Sequence, residues 1–148
     1  MKVTFKAATE NDIPQILILM NQYYAYEGIP FVQQNARRRL IQLFKDPSLG
    51  QAWLIKQMGN TIGYVVITNG FGLEHGLNIC VDELYLDPSS RGHGVGEKTI
   101  EFLKCYARKH KIVSINTQVE KRNRRACFFW ESRGFERQDR YPMVHMME

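Results

Sequence analysis

A chain of 148 residues with a 44% apolar share suits one domain built on a single hydrophobic core. No run approaches the roughly 18 apolar residues of a membrane span, and Met1 to Ala8 alternates apolar and polar side chains where a leader would carry a charged then an apolar stretch, so a soluble, untargeted, cytoplasmic protein with no membrane partner is expected. The net charge of +5 favours a polyanion, either a nucleic acid or a phosphate-rich cofactor; much of the excess lies in Lys121, Arg122, Arg124 and Arg125, which would equally serve as a solvated helix start.

Val3 and Phe5 alternate with polar neighbours as in a first strand. Thr9 or Asn11 can cap a helix whose apolar positions Ile13, Ile16, Leu17, Met20, Tyr23 and Tyr24 keep helical spacing, with Pro14 in the first turn where no donor is lost. An aromatic-rich connection, Tyr23 to Phe31, leads to a second helix over Asn35 to Phe44, ended by Pro47 and Gly50. Ala52–Lys56 and Thr61–Thr68 read as strands joined through Gly59-Asn60, and Asn78–Leu86 as a third strand after a Gly-rich loop. The segment Asp87 to Gly96 breaks regular structure, and an amphipathic helix follows with Ile100, Leu103, Tyr106 and Ala107 on its apolar side. Ile112–Thr117 is the next strand, Arg124–Arg133 the next helix with Gly134 as its stop, and Met143–Met147 can close the sheet. Cys80, Cys105 and Cys127 cannot all pair and show neither Cys-x-x-Cys spacing nor clustered histidines; they read as buried thiols in a reducing compartment, with no metal site.

The order strand, glycine loop, helix carries the chemistry. The spacing Arg91-x-x-Gly94-x-Gly96 delivers successive backbone amides and the positive end of a helix to one point, which makes an anion site, although an ordinary flexible connection has the same composition. A Walker loop would need Lys and then Ser or Thr after its last glycine, whereas Gly96 is followed by Glu97. A dinucleotide loop would need Gly-x-Gly-x-x-Gly early in a βαβ unit, and that is missing too. Lys121 to Arg125 comes with no aromatic strand or recognition helix of a nucleic-acid binder, so no nucleic-acid partner is expected.

The run from Asp82 to Gly96 resembles the acetyl-CoA motif of the GNAT superfamily of N-acetyltransferases, with its Arg/Gln-x-x-Gly-x-Gly/Ala core, and Asn123 to Phe135 resembles that family's second pattern of Asn, Ala, an aromatic pair and a closing Gly-Phe. The resemblance spans nearly the whole chain. It implies an α/β (α+β) fold, a central mixed, mostly antiparallel twisted sheet with splayed strands flanked by about four helices, in a single domain over residues 1–148, and commonly a homodimer. It also implies transfer of an acetyl group from acetyl-CoA to an amine by direct attack, a non-catalytic acyl-CoA sensor being the other reading. The expected coenzyme contacts are Leu84, Tyr85 and Leu86 for the pantetheine arm, Arg91, Gly92, His93, Gly94, Val95, Gly96 and Glu97 around the pyrophosphate, and Asn123, Ala126, Phe129 and Arg133 from the second motif. Arg133 would equally be a solvated helix-end charge.

An alkylammonium with a pKa near 10 must lose a proton before its nitrogen can attack, so the site needs a base. Asp82 and Glu83 are the candidates, and because neighbouring strand residues point to opposite faces, at most one should address the amine; Asp82, which matches an acid of the polyamine and thialysine branch, is favoured, and either carboxylate could instead be salt-bridged. Trp130 stands where many members carry a tyrosine acid, and an indole N–H is too weak an acid to replace it, leaving solvent, Tyr141 or Tyr85 to protonate a leaving thiolate whose pKa is about 8.5. Tyr26-Glu27 resembles a substrate pair of the same branch and points to a small cationic amine, or else packs on the core.

Overall fold

The computed structural model describes residues 2–147, so Met1, where the N-terminal alternation begins, lies outside the described residues. The chain divides into two compact units, Met1–Gln118 and Val119–Glu148. The first holds β1 (Val3–Ala7), a 3₁₀ turn (Glu10–Asp12), α1 (Ile13–Glu27), α2 (Gln33–Lys45), β2 (Gly50–Gln57), β3 (Asn60–Gly72), β4 (Gly76–Leu86), a 3₁₀ turn (Pro88–Ser90), α3 (Val95–Lys109) and β5 (Ser114–Thr117). The second holds α4 (Arg124–Ser132).

The five strands form one sheet in the order β1-β2-β3-β4-β5, antiparallel throughout except for the parallel β4–β5 pair. With α1 to α4 this is the mixed, mostly antiparallel architecture with about four helices that the motifs imply. Alternation along the strands divides the core between the two faces of the sheet. Tyr64, Val66, Leu54 and Tyr85 meet Ile16, Leu17 and Met20 of α1 and Leu40 of α2 on one face. On the other, Phe5 stacks on Phe102 of α3 at 4.3 Å between ring centroids, and Trp53 meets Phe102 and Tyr106 edge-on at 5.2 and 5.1 Å. Each large side chain so buried contributes about 1.5–3 kcal/mol relative to exposure.

The structure lengthens or shortens several elements read from the sequence. Tyr23 to Glu27 belong to α1 and not to a connection, because Tyr23 and Tyr24 continue its helical spacing and pack against the core. The Gly-rich connection before Asn78 shrinks to the turn Leu73-Glu74-His75: β3 and β4 continue through Gly70↔Asn78, Phe71↔Leu77 and Gly72↔Gly76, since a backbone ladder needs no side chains. The β2–β3 turn is Met58-Gly59, with Gln57 opposite Asn60. Ile112 is held by the end of α3, its N–H donating to the Ala107 carbonyl, so β5 starts only at Ser114. Met143 to Met147 is not a strand; alternation makes a strand only when a ladder partner takes up its backbone groups, and here the side chains stay exposed, Met143 by 93%. The three cysteines are free but none is buried: Cys80 and Cys127 are half-buried and Cys105 is exposed on α3. Among the described residues, no helix is long and apolar enough to cross a membrane.

Candidate active site

The register of β4 against β3 shifts by one residue at its centre: Val66 lies opposite Glu83, but the next residue, Ile67, lies opposite Val81. Asp82 is the extra residue of a β-bulge, the device by which a strand re-aims a side chain. Residues directly opposite share a face. Val81 therefore lies with Ile67 on the α3 face, while Glu83 and Tyr85 lie with Val66 and Tyr64 on the α1 face. The strict alternation expected for Asp82 and Glu83 is interrupted at this point, and the Asp82 charge acts on both Glu83 and Tyr24.

Glu83 is half-buried and accepts hydrogen bonds from two phenols, Tyr24 of α1 and, at 2.7 Å, Tyr64 of β3. Burial raises its carboxyl above the ordinary 4.5, the two phenols oppose that shift, and Asp82 adds to it. The same contacts push both phenols up, burial first and Glu83 next, so they remain protonated donors at neutral pH. Asp82 also lies above its ordinary 3.8, through desolvation, and no hydrogen bond or ion pair from the described residues engages it. The pair therefore combines an uncommitted, solvent-reachable carboxylate with a second one held in place by two tyrosines.

β5 accompanies β4 only over Asn78 to Val81, and Thr117 at its end bonds its Oγ1 to the Val81 carbonyl, 3.0 Å. From Asp82 onward no strand among the described residues pairs with that edge of β4. Asp87 N donates to the Ile62 carbonyl of β3, so by alternation the backbone groups of Leu84 and Leu86 point to the open side. A carbonyl and two amides are thus displayed as for an added strand; the fourth group, the Leu86 carbonyl, accepts Arg91 Nε at 2.9 Å. Tyr85, by contrast, is turned to the α1 face and buried.

After the Pro88–Ser90 turn the chain passes Gly92 and Gly94 at φ of 80° and 81°, a conformation open mainly to glycine, and enters α3 at Val95. No side chain caps the start of α3, and its first internal bond is Lys98 N to the Gly94 carbonyl, so the amides of Val95, Gly96 and Glu97 face outward at the positive end of a 15-residue helix. His93 is exposed on the same loop.

In the second unit, Asn123 is the N-cap of α4, its Oδ1 accepting from Ala126 N at 3.0 Å, which commits the oxygen and leaves the amide nitrogen. Phe129 meets Trp130 edge-on at 5.4 Å and Trp130 meets Phe135 at 4.8 Å; Arg133 is the half-buried C-cap. Trp130 is therefore the centre of an aromatic stack. Of the proposed alternative acids, Tyr141 is 80% exposed under Lys121, and Tyr85 is buried with its hydroxyl donating to Gln22 Oε1 at 3.2 Å. Tyr26 and Glu27 form the last turn of α1, and the Tyr26 ring already carries the Arg91 guanidinium 4.8 Å from its centroid. The partners of Glu83, Tyr24 and Tyr64, were not read as site residues; helical spacing marked Tyr24 as core, and nothing local links Tyr64 to a carboxylate on the next strand. Among the described residues no group of three His, Cys, Asp or Glu side chains is placed to hold a metal ion.

A splayed mixed sheet whose open strand runs into a glycine loop and an uncapped helix defines a fold that comparison identifies. Residues 16–135 match the family model "Acetyltransferase (GNAT) family", and the chain belongs to that family. An integron cassette protein from the mobile metagenome of Cole Harbour Salt Marsh is 26% identical, with 97% of this chain and 90% of that one aligned at a TM-score of 0.85. A possible acetyltransferase from Clostridium difficile 630 aligns over 100% and 99% at 0.85 with 19% identity. A predicted acetyltransferase from Clostridium acetobutylicum, solved with acetyl-CoA, aligns over 97% and 96% at 0.80 with 18% identity. No curated protein matches the sequence significantly.

Proposed function

We propose that this chain moves the acetyl group of acetyl-CoA to a primary amine, a small cationic one by preference, with Asp82 as proton acceptor and Glu83 as the fixed carboxylate beside it. The observation that carries the reading is the bulge at Asp82, which sets an uncommitted carboxylate at the point where β4 loses its partner. The backbone of Leu84 and Leu86 fits a pantetheine arm as a strand would, and the amides of Gly92 to Glu97 fit a pyrophosphate. The family match runs from residue 16 to 135 and so crosses the boundary at Gln118, which supports reading both units as one acetyltransferase domain with Asn123, Ala126, Phe129 and Arg133 among its coenzyme contacts.

In the reaction an amine nitrogen attacks the thioester carbonyl, its proton passes to the Asp82 carboxylate, and the carbon–sulfur bond breaks as the amide forms. A β4 amide along the open edge stabilises the charge that builds on the carbonyl oxygen. Solvent protonates the departing thiolate, for which about pKa 8.5 suffices at neutral pH. Glu83 is already engaged by two phenols and acts by holding negative charge near a cationic acceptor.

The test follows release of the coenzyme A thiol while polyamines, lysine analogues, aminoglycosides and short peptides are screened. Release should depend on an added amine, and Asp82→Ala should lower kcat by roughly 10²–10⁴-fold with KM little changed. Tight acetyl-CoA binding without release for any amine would refute the reading.

A further inference from the structure

Past Tyr85, toward the end of β4, lies a cavity of about 710 Å³, within the range of roughly 300–1,000 Å³ typical of ligand sites. It is separate from the carboxylate pair, which is not among its walls. Its apolar wall is Leu19 and the Tyr26 ring from α1 with Pro88 beyond the strand. Its polar groups are Arg91, Thr61, Gln22 and Asp87, and they differ in how far they are already used.

Arg91 is fixed from three sides. Its Nε donates to the Leu86 carbonyl, and its guanidinium lies 4.8 Å from the Tyr26 centroid and 5.4 Å from that of Tyr85. None of the salt bridges among the described residues includes it, so its terminal nitrogens remain available in the fork geometry that suits an oxyanion. Thr61 Oγ1 on β3 is buried without a hydrogen-bond partner among the described residues, which is costly unless a ligand supplies one. Gln22 gives its oxygen to the Tyr85 hydroxyl, leaving its amide donors. Asp87 is the exception: its oxygens accept from Ser89 N at 2.8 Å, Ser89 Oγ at 2.6 Å and Ser90 Oγ at 3.3 Å, and these bonds, the Ser89 hydroxyl first, hold it ionised.

We propose that this cavity binds a carboxylate carried on a compact apolar body, with Arg91 and Thr61 holding the carboxylate and Leu19, Tyr26 and Pro88 the body. A monoanion matches the one uncommitted cation. The fixed Asp87 charge opposes any anion here, a dianionic phosphate about twice as strongly as a monoanion, and a neutral ligand would leave Arg91 without a counter-charge. The site uses neither Asp82 nor Glu83 nor the amides of the glycine loop, but it takes Arg91 and Tyr26, which the motif resemblance gives to the pyrophosphate and to the acceptor amine, for a different ligand.

Phenylacetate is the probe, titrated into the full chain at pH 7 and followed by backbone amide shifts, with phenylacetamide and phenylphosphate alongside. Phenylacetate should shift residues around Thr61 and Arg91 and bind about tenfold or more tighter than either analogue. Arg91→Gln should weaken it by about tenfold, and Thr61→Val, nearly the same shape, by roughly threefold to tenfold. Saturating coenzyme A should leave the phenylacetate affinity in place. Equal binding of the amide, tighter binding of phenylphosphate, no effect of Thr61→Val, or displacement by coenzyme A would each overturn the assignment, the last by returning Arg91 to the pyrophosphate loop.

Discussion

Glu83 shows how a site residue depends on groups its own sequence neighbourhood does not contain. Its phenolic partners come from 59 residues earlier on α1 and 19 earlier on β3, and only the folded sheet brings them together. The motif therefore made the two carboxylates legible but not what distinguishes them, one held by tyrosines and one uncommitted. Both carboxyl groups are raised by burial above their ordinary values of 3.8 and 4.5, so the native state binds protons more tightly than the unfolded chain. The sign is then fixed: their stabilising contribution is complete below about pH 4 and is lost as pH rises through the raised values. Urea titrations at a series of pH values should find Glu83→Gln gaining on the wild type over that window and levelling off above it. In kinetics the same shift places the acid limb of kcat/KM above 3.8, because Asp82 must be ionised to accept a proton; Asp82→Asn should abolish that limb together with most of the rate. Tyr64→Phe removes one donor from a charged acceptor and should cost about 1.5–3 kcal/mol near neutral pH, and less in acid, where Glu83 is neutral.

The bulge is a property of β4 as an element. It switches the buried side of the strand from the α3 face at Val81 to the α1 face at Glu83; without Asp82 those two residues would be consecutive, in plain register with Ile67 and Val66 and on the faces they already hold, whereas loss of a ladder residue such as Leu84 would turn one half of β4 inside out. Deleting Leu84 should abolish cooperative unfolding or cost several kcal/mol, while deleting Asp82, which leaves every ladder pair in place, should keep a cooperative transition and Asp82→Ala should stay within about 1 kcal/mol of wild type; thermal unfolding of the three distinguishes backbone register from side chain. A companion comparison probes the next strand. A β-carbon at Gly63 would sit 2.1 Å from the Tyr85 carbonyl oxygen, whereas one at Gly72 would meet nothing within 4 Å, so Gly63→Ala should be far more destabilising than Gly72→Ala. Elements with strong apolar periodicity, such as α3 and the central strands, were legible in the sequence because burial and helical or strand spacing agree there, and α1 was legible from its long apolar run and its N-terminal Pro14. The arm of β3 and β4 beyond Thr68 was not, because Gly70, Gly72 and Gly76 read as loop residues while their backbones continue the ladder. Met143 to Met147 erred in the other direction, its alternation having no ladder to serve.

For the whole molecule, the placement of buried side chains decides which part of the chain can stand alone. Among the described residues, every buried hydrophobic side chain lies between Ala8 and Ala107, and α4 buries none. The unit ending at Gln118 has both faces of its sheet covered by its own helices, α1 and α2 on one side and α3 on the other. Residues 119–148 taken by themselves are fewer than the roughly 40 a domain needs without disulfides or metals, and α4, at nine residues, is below the ~12–15 that persist alone in water. A chain truncated after Gln118 should therefore keep its strand content by circular dichroism and unfold in urea in one transition, whereas residues 119–148 as a peptide should be largely without helix. Acetyl transfer should nevertheless disappear from the truncated chain, because the acetyltransferase match continues to residue 135. A truncated chain that loses its sharp transition would mean that the sheet needs the remainder of the chain to fold, and the activity loss would then report on folding alone.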